Sequence, residues 1–115
     1  MQYILMTYVP EERFAKLTKT EQERGIAAYV AYSEALTKAR VLKSSNRLQP
    51  SGTATTVRFV GDKPKVLDGP YADSKEQIGG YFLIDVADLD AAISWAARCP
   101  AAEHGVVEVR PLWNM

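Results

Sequence analysis

Residues 3–9, YILMTYV, decide the fold of this chain. The run is β-branched, aromatic and apolar, with large groups at odd and even positions alike. In a strand, alternate side chains point to opposite faces. Tyr3 and Leu5 would then face one side, Ile4 and Met6 the other. A strand apolar on both faces reads as a central one, covered from both sides. Pro10 ends it, because proline cannot donate to a ladder. The run 81–86, YFLIDV, has the same two-faced character.

Between these strands the pattern turns helical. Thr18 and Glu21 make a capping box, with Thr20 and Glu23 as the alternative. Ile26, Tyr29, Val30, Ser33, Leu36 and Thr37 then recur at helical spacing. This predicts a helix over 18–40, with Gly25 marking a close backbone approach. Residues 43–53, KSSNRLQPSGT, read as a loop. The runs 54–60 and 64–68 flank the turn Gly61-Asp62-Lys63 and predict a hairpin. Asp68-Gly69-Pro70 forms a sharp exit. Residues 71–78 read as a helical turn, and Gly79-Gly80 allow a bend or bulge before the next strand.

Asp88 is an N-cap for a second helix, with Leu89, Ala92, Ile93, Ala96 and Ala97 on its apolar face. Pro100 stops that helix. Residues 106–110 alternate as a last strand, with Val107 and Val109 on its apolar face. The order is βαββαβ, widened by one hairpin. It predicts a single α+β domain over residues 1–115, with both helices on one face of a largely antiparallel sheet.

Composition narrows the function. In 115 residues, 47% hydrophobic, fourteen Lys and Arg balance fourteen Asp and Glu. Net neutrality gives no drive toward nucleic acid or anionic lipid, so neither is expected as a partner. Cys99 is the single cysteine and His104 the single histidine. Together they cannot assemble a structural zinc site. The first residues lack a basic signal-peptide region, and no run is long enough to span a bilayer. These features predict a cytoplasmic protein.

Two helices on one face leave the opposite sheet face bare. Half of the large groups on the two central strands would lie there, more apolar surface than monomers usually expose. A second copy in two-fold symmetry is the simplest cover, so a homodimer is expected.

The run DGPYADSKEQIGGYFLIDV at 68–86 resembles the signature of the DGPF family, a branch of the YCII-related domain proteins. Tyr71 stands where the family name has phenylalanine. YILMTY, LQPSGTATTVR at 48–58, DLDAAISWAARCPAAEHG at 88–105 and VEVRPL at 107–112 extend the likeness over essentially the whole chain. The resemblance implies a ferredoxin-like fold in the dimeric α+β barrel superfamily, with two sheets enclosing a cavity. It also implies association with extracytoplasmic-function sigma factors. The stricter YCII-related proteins carry a proposed His–Asp pair, the histidine in the first helix and the aspartate after the second. Here Ala28 lies in the first region and Cys99 near the second, so that pair is absent.

Two residues are candidates for proton transfer. Asp68 ends an apolar strand; its carboxylate either accepts turn amides or sits desolvated at a cavity mouth as a base. His104, in a loop, is the best acid–base group near neutral pH. Gln49, Arg58, Lys75, Glu76 and Gln77 are candidate polar contacts for a ligand, with Gly69, Pro70, Tyr71 and Tyr81 beside them. The bland reading of these residues is a turn and its solvated charges. Trp95 and Trp113 are expected in core or interface, and Cys99 as a buried small hydrophobe. Two functions follow: a homodimeric small-ligand-binding or regulatory module, or a cofactor-independent enzyme using Asp68 and His104.

Overall fold

A computed structural model describes residues 1–114. Six strands, three α-helices and two short 3-10 turns follow one another. They are β1 (Gln2–Pro10), α1 (Glu11–Lys16), α2 (Lys19–Lys38), β2 (Leu42–Arg47), β3 (Thr55–Val60), β4 (Lys63–Asp68), β5 (Glu76–Asp85), α3 (Leu89–Arg98) and β6 (Val106–Pro111). The 3-10 turns cover Ser51–Thr53 and Pro100–Glu103.

Four strands form one sheet in the order β2-β5-β1-β6, with all three pairings antiparallel. β1 is central, as its two-faced composition predicts. Tyr3, Leu5 and Thr7 are buried on one side, with Phe82 and Ile84 of β5. Helices α2 and α3 pack on this side through Tyr32, Leu36, Ala92 and Ala96. Leu5, Leu36 and Ile84 are fully buried, each contributing about 1.5–3 kcal/mol of transfer free energy. Tyr32 joins α2, β5 and α3. Its ring meets Phe82 edge-on at 5.1 Å, and its hydroxyl donates to the Trp95 carbonyl at 2.7 Å. Ile4, Met6, Tyr81 and Leu83 fall on the opposite face, where no helix lies and they remain partly exposed.

The capping box at Thr18 and Glu21 forms in both directions, and Asp88 accepts from the Ala91 amide at 2.9 Å. Four local expectations need correction. The stretch 43–53 is not a plain loop: residues 42–47 are the edge strand β2. The stretch 71–78 contains no helix: β5 begins at Glu76, and Gln77 donates to the Ala72 and Ser74 carbonyls, pinning the preceding loop. Ile26 and Val30 are not buried against the sheet, and neither are Leu89 and Ile93; all four are exposed. Trp113 and Tyr71 are exposed too, at 85% and 82%.

The hairpin β3–β4 forms as expected but pairs with no other strand. Its two-residue turn has a positive φ at Gly61 alone, the first central position, which fits a type II′ turn. Val57, Phe59 and Val66 share one face of it and all are exposed. This projecting arm explains the molecule's spread of 48 × 44 × 18 Å. The radius of gyration is 16.1 Å, where a compact chain of about 100 residues has about 13 Å.

Two glycines are fixed by close approach. A Cβ on Gly105 would lie 2.1 Å from the Tyr8 carbonyl oxygen, and one on Gly80 would lie 2.8 Å from that of Asn46. Gly25 has open space around it, so the close approach expected there is absent. Gly105→Ala should therefore lower the urea midpoint sharply, by more than about 2 kcal/mol of stability. Gly25→Ala should raise it by about 0.5–1 kcal/mol, through higher helix propensity.

Candidate functional site

On the helix side of the sheet lies a half-open cavity of about 910 Å³. Its floor is sheet: Thr7 of β1, Gly79, Gly80 and Phe82 of β5, Ser45 and Arg47 of β2. Its walls are Arg13 and Phe14 of α1 and Ile26, Tyr29 and Val30 of α2. His104, just after the second 3-10 turn, reaches the same space. The cavity accounts for the two misplaced residues of α2: Ile26 and Val30 are apolar because they line it.

The floor depends on a slip in register. Thr7 pairs with Gly80, but Tyr8 pairs with Ile78, so Gly79 is an extra residue in β5. The expected bulge at the glycine pair is present. A side chain at Gly80 would strike β2, and Thr7 holds the Gly80 carbonyl by a 3.2 Å hydrogen bond.

The polar groups on the cavity come from separate elements. Arg13 stands on α1, Tyr29 on α2, Arg47 at the end of β2 and His104 after the helical region. Burial pushes the Tyr29 phenol up to about 12, with the Cys99 thiol adding to the rise and Arg47 and Arg13 opposing it. It is a neutral donor at physiological pH. Burial lowers the His104 imidazole below its usual 6.5, and the Arg13 charge lowers it further, against the pull of Glu103. Both effects favour the neutral, proton-accepting form of His104. The Arg47 guanidinium lies 5.7 Å from the centre of the Phe14 ring, a cation–π distance. Burial also raises the Cys99 thiol, which makes it an inert core residue. Among the described residues no three His, Cys, Asp or Glu side chains cluster as a metal would require.

Of the residues singled out in the sequence, His104 reaches this cavity, and Tyr81 borders it from β5 while its side chain falls on the uncovered sheet face. Asp68 does not reach it. It ends β4 on the arm, exposed and outside the cavity lining that includes His104. Nor does its carboxylate hold the turn. The Gly69 amide donates to Ala54 at 2.7 Å, and the Thr56 hydroxyl donates to the Gly69 carbonyl at 2.7 Å. Gly69, with φ +104°, permits that bend. Arg58 lies exposed on the arm, while Gln49, Pro70, Tyr71 and Lys75 are exposed in loops. Glu76 and Gln77 are half-buried at the start of β5, outside the cavity lining. The Tyr81 hydroxyl accepts from Asn46 at 2.9 Å. Arg13, Tyr29 and Arg47 were missed. Their only sequence signal is chemical type, which surface residues share.

The sequence matches the YCII-related domain over residues 1–115. The chain belongs to the YCII-related family. This YCII-related protein is 36% identical over 114 residues to an uncharacterised protein of Rhizobium meliloti (strain 1021), covering 97% of this chain and 92% of that one. Among solved structures it is similar to 5-chloro-2-hydroxyhydroquinone dehydrochlorinase from Burkholderia phenoliruptrix AC1100, in complex with 2,5-dihydroxybenzoquinone. The TM-score is 0.57 at 14% identity, over 98% of this chain and 94% of that one. The two share their fold, and the strand order with the helices on one face is the ferredoxin-like arrangement the resemblance implies. No described helix of the YCII-related protein is long and apolar enough to cross a membrane.

The lowered His104 pKa carries a stability consequence. An imidazole whose folded pKa lies below its unfolded value stabilises the fold above the unfolded value and loses that contribution as pH falls through the folded one. NMR titration should place His104 below 6.5, with Arg13→Gln moving it upward. Urea midpoints should fall on acidification through that window, and His104→Gln should flatten this part of the profile.

Proposed function

We propose that this YCII-related protein binds a small aromatic molecule in the helix-side cavity, with His104 as proton acceptor and Tyr29 as hydrogen-bond donor. One observation carries the reading: Arg13, Tyr29, Arg47 and His104, from four separate stretches of chain, meet on one largely apolar hollow. Small-molecule sites have this build, an apolar pocket with a few convergent polar groups. Phe14, Tyr29 and Phe82 supply aromatic surface for a flat ring. The dehydrochlorinase of similar fold was captured with a hydroxylated quinone, which is a fold-level analogy in support.

The working unit in this reading is a homodimer. The uncovered sheet face, with Ile4, Met6, Tyr81 and Leu83, and the exposed apolar arm favour a second copy over a free monomer. A reducing, cytoplasmic location agrees with the buried free thiol of Cys99.

A second reading, as a cofactor-independent enzyme, is favoured by the neutral state of His104. A base held unprotonated beside a bound phenol could take its proton. Asp68, remote on the arm, is left out of this scheme.

Isothermal titration with 2,5-dihydroxybenzoquinone tests both readings. Saturable binding is expected, weakened about tenfold in His104→Ala, a loss of ~1.4 kcal/mol. Binding unaffected by His104→Ala and by Tyr29→Phe would remove the cavity from the proposal. Consumption of the quinone would select the enzyme over the binding module. Sedimentation should give twice the chain mass of 12.8 kDa; a single-copy mass at high concentration would end the dimer reading.

A further inference from the structure

We propose that the cavity selects anions, taking an aromatic carboxylate or phenolate whose charged group lies between Arg13 and Arg47. This rests on the cavity being the binding site and adds the chemical class of its ligand. The chain as a whole is neutral, yet the charges on the cavity are not balanced. Arg13, Arg47 and Lys38 line it, with Glu34 as the acid among the described lining residues.

Neither guanidinium makes an ion pair among the described residues, although the Arg13 charge also reaches the Glu21 carboxylate. The described ion pairs are Met1–Asp85, Lys16–Glu12 and Arg110–Glu108, none of which involves Arg13, Lys38 or Arg47. The two acids that precede Arg13 in sequence are engaged elsewhere: Glu12 pairs with Lys16 at 3.5 Å, and the Glu11 carboxylate accepts from the Ser51 amide at 2.9 Å. Arg47 lies by the Phe14 ring instead of an acid. Both arginine charges reach the Tyr29 phenol, and that of Arg13 also reaches His104, so the two fields overlap inside the hollow.

Arginine suits this task better than lysine. Its planar fork matches two carboxylate oxygens at once, and it is less strongly hydrated than an ammonium. The apolar depth of the cavity then receives the ring. Phe82 and Thr7 lie below it, and the absence of side chains at Gly79 and Gly80 lets a flat group approach the backbone. Tyr29, protonated, can donate to a second oxygen on that ring.

The test compares two probes of nearly equal shape, 1-naphthoate and the neutral 1-naphthamide, by isothermal titration. Naphthoate should bind about tenfold more tightly. Its affinity should fall as salt rises from 0.05 to about 0.5 M, while naphthamide should change little. Arg13→Gln with Arg47→Gln, both exposed positions whose loss leaves the core intact, should abolish the preference without abolishing naphthamide binding. Circular dichroism checks that this variant is folded. Equal binding of the two probes to the unaltered protein, or a preference that survives the double variant, would overturn anion selection while leaving the cavity as a binding site. If neither probe binds, the cavity reading fails and anion selection falls with it.

Discussion

The extra residue in β5 is the constraint on which the site depends. Up to Thr7, β1 and β5 run in regular antiparallel register, and the alternation of side chains builds a continuous core. At Gly79 that regularity breaks. A bulge adds local twist and turns its strand, and here it falls where β1 hands over to α1. Beyond it, Pro10 leads directly into the helix that carries Arg13 and Phe14. The bulge needs glycine on both counts. Gly80 lies under the Asn46 carbonyl, and Gly79 already approaches the Val9 side chain at 3.3 Å from where a Cβ would be. At the glycine pair the floor of the hollow is therefore backbone, and its shape there is set by the sheet.

The helix α2 serves two masters with one length of chain. Tyr32 and Leu36 are buried in the core, while Ile26 and Val30 remain exposed on the cavity. A helix that contributes to both is apolar around more of its circumference than core packing needs. Its excess of apolar surface is where binding is expected. Tyr32 shows how the core half tolerates a hydroxyl: the ring packs and the oxygen donates to a carbonyl of α3, so no buried polar group is left unpaired.

The sequence was informative where burial imposes a period. β1 and β5 follow from runs apolar on both faces, the two caps from Thr18, Glu21 and Asp88, and the hairpin from the turn at Gly61. β2 was hidden because Lys43, Ser44, Asn46 and Arg47 are exposed on an edge. An edge strand with little to bury leaves no apolar alternation, and its place is fixed by pairing with β5. Among the residues singled out in the sequence, His104 is the one whose side chain reaches the candidate site. Asp68 stood out through its local motif, yet what brings residues together is topology, and topology carried Asp68 onto the arm. Arg13 and Arg47 lie in different elements, and nothing local to either indicates that they share a hollow.

The arm itself has a consequence for solubility. A two-stranded ribbon standing clear of its sheet offers two rows of backbone amides and carbonyls, the template on which chains zip into aggregates. Its second strand begins Lys63-Pro64-Lys65. Pro64 has no amide to give to an incoming strand, and the two lysines set like charge against like when ribbons from separate molecules approach. The ribbon can then carry the apolar face of Val57, Phe59 and Val66 without offering an open edge on which a stack would grow.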